Sequence, residues 1–427
     1  MSTFYIHTLG CPKNTVDSDV LKKKLTEAGF YPASTPEEAS LVLINTCGFI
    51  DAAKEESVEE ILSYVEKKSP EQKLIVFGCL AKRYLKELKK ELPEVDAFFG
   101  VEDFKNILQY CKRFLNGRKP ERVDFVGAND LSSYAYIKIA EGCNRRCSFC
   151  VIPSIRGRLR SLSQKEIIKR AKELIIKGVK EIILVAQDIT SYGKDLGGYS
   201  LSNLLYELNS LDGDFWIRLL YLFPDSINEG LIDAIKNNPR VCHYIDMPLQ
   251  HSEDRILKLM NRPCSKRQIQ ETIKTIRQEI PDIVLRTAFI VGFPSETEQE
   301  FEALLNFIKE VQFDRVGAFL YSQEEGTPAF DLKDQIPDEL KKDRYHRLMS
   351  IQAGISLEKN LRLVGKRLRV LVDEIDQDVA LCRYYGQAPE IDGLVFIKGL
   401  RRPLMKGDFV DVTITRAYDY DLEAELN

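Results

Sequence analysis

The sequence predicts an α/β protein with three parts: an N-terminal doubly wound parallel α/β domain, a central partial (β/α)6 barrel and a C-terminal small antiparallel β-barrel. Apolar runs alternate with amphipathic stretches through most of the chain, which is typical of α/β folds. A length of 427 residues exceeds one ordinary domain. After Gly365 the pattern changes to short strands separated by glycine turns. We predict domains at 1–118, 129–360 and 361–427.

The amino-acid composition indicates the broad class to which the protein belongs. A hydrophobic content of 44% with 30% charged residues is typical of a globular protein, and no apolar run reaches the roughly 18 residues that span a bilayer. The first residues lack a basic segment followed by a long apolar core, so we expect no secretory signal, no membrane association and a cytoplasmic location. In that reducing compartment, ten cysteines indicate metal ligands or redox groups rather than disulfides.

The N-terminal domain places a cysteine after each of three predicted strands. The carboxyl ends of parallel strands share one edge of the sheet, so we expect these cysteines to converge although they are far apart in sequence. Three buried thiols are the simpler alternative. The strands are Phe4–Leu9, Leu41–Asn45 and Leu74–Phe77. The cysteines, here called the strand-end triplet, are Cys11, Cys47 and Cys79.

The central part contains six strand-like runs with helical patterns between most of them, which predicts a partial barrel whose chemistry lies at the carboxyl ends of its strands. Ser163 with Glu166, and Ser295 with Glu298, are typical helix starts. A long charged helix is predicted at Asp338–Leu361. The six runs are Tyr136–Ala140, Glu181–Gln187, Trp216–Leu222, His243–Leu249, Val284–Phe293 and Arg315–Tyr321.

The run CNRRCSFC, at Cys143–Cys150, is the most specific motif of the chain. It supplies Cys143, Cys147 and Cys150, here called the loop triplet, directly after a predicted strand. A four-iron cubane needs one ligand per iron, so three thiols leave one iron open for a small molecule. A structural zinc site or three buried thiols are the less favoured alternatives, because zinc sites usually close with a fourth ligand and none follows at regular spacing.

The C-terminal part predicts a small barrel from the runs Leu368–Val372, Leu394–Ile397 and Phe409–Ile414. Residues 366–427 hold 9 Lys and Arg against 12 Asp and Glu, a balance of −3. A domain that grips nucleic acid is usually basic, because phosphate contacts dominate that affinity. An acidic domain is better suited to a basic protein partner.

With these residues in view, the whole chain resembles the radical S-adenosylmethionine (radical SAM) methylthiotransferases. The resemblance covers an N-terminal methylthiotransferase domain, a radical SAM core and a C-terminal TRAM barrel, and both triplets fall at the positions of the family's cysteines. It implies two 4Fe–4S clusters, each held by three cysteines, together with S-adenosylmethionine and a reducing electron donor. It further implies that an adenosyl radical takes a hydrogen from the substrate while the second cluster supplies sulfur.

The family contains mainly tRNA-adenosine enzymes and one protein-modifying branch, which acts on the β-carbon of an aspartate in small-subunit ribosomal protein twelve. Several stretches resemble the protein-modifying branch, and the acidic C-terminal domain agrees with it. We therefore expect that ribosomal protein as substrate and consider tRNA an unlikely partner. The stretches are Gly10–Asn14, Val185–Asp188, Pro248–His251 and Tyr321–Thr327.

The resemblance also suggests cofactor contacts. Gln187 and Asp188 lie where the family's barrel touches the methionyl part of S-adenosylmethionine, with a turn-forming pair as the alternative. Arg218 on the third strand could reach a carboxylate, although an ion pair inside the barrel is an equally simple interpretation. Gly292 and Pro294 would shape the backbone near adenine, or form an ordinary strand-to-helix turn.

Two positions depart from the family pattern. Ser295 stands where relatives usually have glycine, and Leu162 stands where many have arginine. Neither residue is a cluster ligand, so the departures affect only the fine geometry around cofactor and substrate.

A basic stretch follows the loop triplet at Arg156, Arg158 and Arg160. These side chains could meet an acidic substrate residue, and a solvated loop is the default interpretation. His251 is expected to be a packed histidine, with a supporting role behind the site residues as the alternative. The remaining cysteines, which have no spacing partner, are interpreted as non-ligands: Cys111, Cys242, Cys264 and Cys382.

Two other functions stay open at this point. The same chemistry on a tRNA adenosine would give tight binding that weakens steeply with salt. A two-cluster electron carrier or redox sensor would not cleave the cofactor to 5′-deoxyadenosine, and it would not need a barrel and a TRAM domain.

Overall fold

The structure is a computed structural model that describes residues 2–114, 132–400 and 402–427. The chain divides into two compact units. The first unit comprises Met1–Ala128, Gly142–Arg158 and Ser322–Phe330, and the second comprises Asn129–Glu141, Leu159–Tyr321 and Asp331–Asn427. The predicted domain boundaries at 118 and 129 lie outside the described residues.

The first unit contains a five-stranded parallel sheet in the order β2-β1-β3-β4-β5. The three strands predicted from the sequence are confirmed, while the edge strands β2 and β5 were not predicted because they are only two and three residues long. The strands are β1 Thr3–Thr8, β2 Tyr31–Pro32, β3 Leu41–Thr46, β4 Lys73–Gly78 and β5 Ala97–Phe99.

Helices cover both faces of this sheet, as expected for parallel strands that are apolar on both sides. Val42 and Val76 face the layer that contains Ile61, whereas Leu43 and Ile75 face the layer that contains Leu21 and Leu25. The helices of this unit are α1 Pro12–Glu27, α2 Asp51–Lys67, α3 Cys79–Arg83, α4 Leu85–Glu91, α5 Phe104–Cys111 and α6 Ile152–Arg156.

The second unit contains a six-stranded parallel sheet, which confirms the predicted partial barrel. Its order is β13-β12-β11-β10-β9-β6, and β7 pairs with β8 in a separate two-stranded sheet. The strands are β6 Tyr134–Lys138, β7 Ala140–Glu141, β8 Arg160–Ser161, β9 Glu181–Val185, β10 Trp216–Leu219, β11 Val241–Asp246, β12 Val284–Val291 and β13 Arg315–Leu320.

Of the two helix starts predicted from cap residues, one agrees with the structure and one does not. Ser163 caps α7 by accepting a hydrogen bond from the Glu166 amide, but the predicted start at Ser295 is wrong. Ser295 has φ +65°, a left-handed conformation that does not lead into a helix, and Thr297 is the N-cap instead, in a capping box with Glu300. The helices are α7 Gln164–Ile176, α8 Leu201–Asn209, α9 Glu229–Lys236, α10 Asp254–Leu259, α11 Lys266–Glu279, α12 Glu298–Val311 and α13 Asp338–Leu361.

The C-terminal part of the second unit is a closed five-stranded barrel in the order β14-β15-β16-β18-β17. Two of its strands were not predicted, and the barrel closes through a parallel pairing of β16 with β18. Alternate residues such as Val370, Val372 and Val412 fill its core. The strands are β14 Arg367–Asp376, β15 Val379–Tyr384, β16 Val395–Lys398, β17 Phe409–Ala417 and β18 Leu422–Leu426. Across residues 2–114, 132–400 and 402–427, no helix combines the length and apolarity needed to cross a membrane.

Candidate metal centres

The strand-end triplet converges at one edge of the first unit's sheet, as its topology predicts. β1, β3 and β4 are neighbours in the sheet, and each is followed within three residues by one of the cysteines. Cys11 is the N-cap of α1, and Cys79 is the first residue of α3. Asn14 links two of them, because its backbone N–H donates to Cys11 O at 2.8 Å and its Oδ1 lies 4.0 Å from Cys79 Sγ.

Two glycines allow this close approach. Gly10 has φ +88°, and a Cβ added there would lie 2.8 Å from Cys47 Cβ and 3.1 Å from its Sγ. Gly78 has φ +106°, and its added Cβ would lie 2.5 Å from Asn45 Oδ1. A side chain at either position would therefore be strained in its backbone and crowded by the neighbouring strand end.

Buried amides and a hydroxyl hold the backbone turns at Cys11 and Cys47 in place. The Asn14 side-chain amide donates to Leu9 O at 2.7 Å, and the Asn45 amide donates to Asn14 O at 2.9 Å. Ser57 Oγ donates to Cys47 O at 3.0 Å and accepts from Cys47 N at 3.1 Å. Because these groups are buried and paired, they fix the positions from which the thiols project.

A buried arginine lies against the strand-end triplet. Arg156 is the last residue of α6, and its side chain is 1% exposed. Its guanidinium donates to Asn14 Oδ1 at 2.6 Å, to Asp17 Oδ2 at 3.0 Å and to Cys79 Sγ at 3.3 Å. Burial of the charge is compensated by its ion pair with Asp17, since an isolated buried charge is strongly unfavourable.

The three thiols differ in acidity. Burial raises the pKa of Cys11, but Lys13, Arg156 and backbone amides outweigh it, so that its pKa falls below the ordinary value. Burial raises the pKa of Cys47, and it raises the pKa of Cys79 to about 12 although Arg156 opposes the change. A bound metal would have to displace the proton of each thiol.

The loop triplet is held by its own backbone. Cys143 N donates to Gly157 O at 3.0 Å, and Cys150 N donates to Cys147 O at 3.2 Å. Arg145 N donates to Cys143 Sγ at 3.4 Å, the kind of bond that tunes an iron–sulfur cluster. All three cysteines are half-buried. Both triplets thus offer three thiol sulfurs, a donor set that fits a cluster with one open iron.

The predicted cofactor contacts of the second unit lie at strand ends. Gln187, two residues beyond β9, donates to Glu141 Oε1 at 2.8 Å. Asp188 is 2% exposed and accepts hydrogen bonds from the hydroxyls of Thr190 and Ser191. The Asp188 carboxylate therefore closes its own turn, whereas Gln187 pairs with a carboxylate that was not singled out in the sequence.

Gly292 lies in a tightly bonded turn. It has φ +72°, its amide donates to Glu296 Oε2 at 2.6 Å, and an added Cβ would lie 2.3 Å from Lys341 Cγ. Glu296 also pairs with Arg344 Nη1 at 2.7 Å and with His251 Nε2 at 2.9 Å. This network fixes the turn through Pro294, and it accounts for the burial of His251.

Arg218 is engaged in an ion pair. The residue is completely buried, its Nε donates to Glu181 Oε1 at 2.5 Å, and its Nη1 donates to Tyr385 O at 2.7 Å. Arg383 pairs with the other oxygen of Glu181 at 2.6 Å. These contacts join the parallel sheet to the C-terminal barrel at the first residue of β9, and they match the ion-pair interpretation of Arg218.

Arg156 is the functional candidate whose environment the sequence did not indicate. The basic stretch was interpreted as a solvated loop, and Arg158 and Arg160 are indeed exposed. Arg156 is buried against Asp17 and Asn14, which lie more than a hundred residues earlier in the chain. No local signal in the sequence predicts that pairing.

Three protein families match successive parts of the chain. Residues 3–100 match uncharacterized protein family UPF0004, residues 137–308 match the radical SAM superfamily, and residues 364–426 match the TRAM domain. The radical S-adenosylmethionine methyltransferase TsrM from Kitasatospora setae shares the fold, with a TM-score of 0.57 and 12% identity over 89% of this chain and 81% of that chain. The chain is a radical SAM enzyme with a C-terminal TRAM domain.

Curated relatives extend over the full length. The ribosomal protein uS12 methylthiotransferase RimO of Thermodesulfovibrio yellowstonii is 53% identical over 100% of both chains. The protein of the same name from Thermoanaerobacter sp. is 47% identical, also over 100% of both. The chain therefore belongs to the RimO family of radical SAM methylthiotransferases, which confirms the family resemblance seen in the sequence.

Proposed function

We propose that this protein binds a 4Fe–4S cluster on each triplet and adds a methylthio group to the β-carbon of an aspartate in ribosomal protein uS12, the twelfth protein of the small subunit. The observation that supports it best is the pair of three-thiol sites in the first unit, each one ligand short of a complete cubane. Relatives named for uS12 methylthiolation match the whole chain.

Different residues would hold the two clusters and S-adenosylmethionine. When bound, the clusters and S-adenosylmethionine would supply the radical and the sulfur chemistry. The loop triplet would hold the first cluster with the Arg145 amide bonded to Cys143, and the strand-end triplet would hold the second beside Arg156. Gln187 and the Gly292 turn are our candidates for orienting S-adenosylmethionine, and we leave Arg218 out because Glu181 occupies it.

Charge favours a protein substrate over tRNA. Acidic side chains of the C-terminal barrel are exposed at Glu374, Asp376 and Asp378, and such a surface attracts a basic protein and repels phosphates. Binding of uS12 should exceed binding of tRNA at the same salt concentration. A ribosomal substrate and a low-potential electron donor would both be met in the cytoplasm, where we expect the protein to act.

The test is mass spectrometry of uS12 from cells with and without this gene. We expect one additional methylthio group on an aspartate only when the gene is present, and its return when the gene is restored. Restoration with Cys79→Ala is the matched control and should fail. Unchanged uS12 together with a lost methylthio group on a tRNA adenosine would instead establish the tRNA activity.

Iron content tests the two-cluster part separately. Anaerobically reconstituted protein should hold about eight irons per chain, because two cubanes contain four each. Reduced protein should also cleave S-adenosylmethionine to 5′-deoxyadenosine. About four irons per chain would contradict the second cluster, and the absence of cleavage would support an electron carrier instead.

A further inference from the structure

Arg156 connects two parts of the first unit that carry different triplets. It lies six residues beyond Cys150 in sequence, at the end of the short helix that follows the loop triplet. Its guanidinium nevertheless contacts Cys79, Asn14 and Asp17 at the other triplet. Apolar contacts also connect these two parts, because Val151 and Ile155 of this segment pack against Cys79.

We infer that Arg156 is a positioning residue for the second cluster, which it holds at a higher reduction potential by keeping a buried positive charge against Cys79. The inference rests on the proposed second cluster and goes beyond it, since it assigns a role to a residue that is not a ligand. Arg156 also ties the loop-triplet segment to the sheet edge, so that one side chain serves both the geometry and the electrostatics.

The positive charge of Arg156 favours the reduced form of a nearby cluster. Reduction adds one electron to a cluster, and a nearby positive charge stabilises the more negative reduced form. A hydrogen bond donated to a ligand sulfur acts in the same direction, and burial of the donor reduces the solvent screening of its positive charge. Arg156 combines both effects, because its donor lies 3.3 Å from Cys79 Sγ and its side chain is 1% exposed.

Asp17 provides the opposite charge in the same place. Its carboxylate pairs with Arg156 at 3.0 Å and is 4% exposed, so it partly neutralises the guanidinium. Removing the Asp17 charge should therefore shift the potential in the direction opposite to removing the Arg156 charge. Arg158 is two residues away and exposed, where solvent screens its charge, and it serves as the matched control.

The experiment is a dithionite titration of the reconstituted full-length protein followed by electron paramagnetic resonance. Added S-adenosylmethionine should change the signal of the loop-triplet cluster, which would identify it. In Arg156→Gln we expect the other signal to move to lower potential, by at least a tenfold fall in the reduction equilibrium constant, or about 59 mV for one electron. Arg156→Lys should move it less because it keeps the charge, and Arg158→Gln should not move it.

Asp17→Asn should move the same signal to higher potential, and this decides the matter if Arg156→Gln does not fold. An Arg156→Gln protein with about eight irons and an unmoved potential would overturn the inference alone. Asp17→Asn with an unmoved or lowered potential would overturn it as well. Wild-type protein with about four irons would overturn the second cluster itself and the inference with it.

Discussion

The two triplets use the same three thiols but are assembled in different ways. The loop triplet lies within eight consecutive residues, and its geometry is set by local backbone bonds such as Cys143 N to Gly157 O. The strand-end triplet comes from three strands and exists only when β1, β3 and β4 are paired in register. A local site tolerates damage elsewhere in the fold, whereas an assembled site depends on every element that positions it.

The largest effect should come from removing one cysteine of each triplet. Cys150→Ala should abolish cleavage of S-adenosylmethionine, because the cluster that binds the cofactor is lost. Cys79→Ala should keep cleavage to 5′-deoxyadenosine but form no methylthiolated uS12. Each variant should lower the iron content from about eight to about four per chain, as measured by iron analysis and product chromatography.

Cys111→Ala is the control, since this buried cysteine packs against the sheet beside Ile107 in a separate apolar layer. It should retain both activities. Loss of cleavage in Cys79→Ala would contradict the division of labour between the triplets.

Sequence predicted the fold where periodicity is strong. The six parallel strands of the second unit and the helix Asp338–Leu361 follow directly from apolar patterns, and the helix has the predicted bounds. The edge strand Tyr31–Pro32 was missed because a strand of two residues carries little pattern, and the barrel strands Val379–Tyr384 and Leu422–Leu426 were missed as well. The start of α12 was misplaced because Ser295 adopts a left-handed conformation, which the presence of a serine does not indicate.

The site residues could be predicted where they lie close together in sequence or at the ends of neighbouring strands. Spacing alone indicated the loop triplet, and strand order indicated that the strand-end triplet converges. The burial of Arg156 and the pairing of Gln187 with Glu141 depend on residues brought together by tertiary structure. Long-range pairs of polar side chains have no periodic signature, so one sequence does not reveal them.

In the metal-free protein, Cys11 and Cys79 of the strand-end triplet should differ in acidity. The pKa of Cys11 lies below 9.0 and that of Cys79 at about 12, so at pH 8 the thiolate fraction of Cys79 should be at least about a thousandfold lower than that of Cys11. Alkylation of Cys11 should reach its midpoint below pH 9.0, while that of Cys79 should still rise above that pH.

Peptide mass spectrometry after iodoacetamide pulses at increasing pH would measure both midpoints, and midpoints rather than rates separate acidity from accessibility. Lys13→Gln should raise the pKa of Cys11, because Lys13 is the strongest influence that lowers it. Equal midpoints for Cys11 and Cys79 would contradict the electrostatic asymmetry within the strand-end triplet.

Glycine substitutions test the crowding of the assembled site. Gly10→Ala combines a left-handed backbone with a Cβ 2.8 Å from Cys47 Cβ, so it should destabilise the protein by about 2–4 kcal/mol and lower iron loading of the strand-end triplet. Gly157→Ala has φ +75° but open space around its Cβ, so it should cost only about 1–2 kcal/mol.

Urea denaturation of the metal-free variants and iron analysis after reconstitution would measure both effects. Cleavage of S-adenosylmethionine should survive in Gly10→Ala. An equal loss of stability in the two variants would show that contact with Cys47 is unimportant.

Glu300→Gln should have the smallest effect, and it tests whether iron loading of the strand-end triplet depends on the stability of the whole protein or on the packing around Gly10. Glu300 in α12 accepts hydrogen bonds from Arg255 at 2.6 Å and from Thr297 N at 2.9 Å, and chiefly the Arg255 bond lowers its pKa from 4.5 to about 2. Because the folded-state pKa is the lower one, this contribution is complete above pH 4.5 and disappears as the pH falls towards 2. Glu300→Gln should therefore lose about 1 kcal/mol at neutral pH, allowing for solvent screening, and the difference from wild type should vanish in acid. Iron loading at both triplets should stay at the wild-type level, whereas a fall confined to the strand-end triplet would mean that this site responds to stability in general rather than to the packing around Gly10.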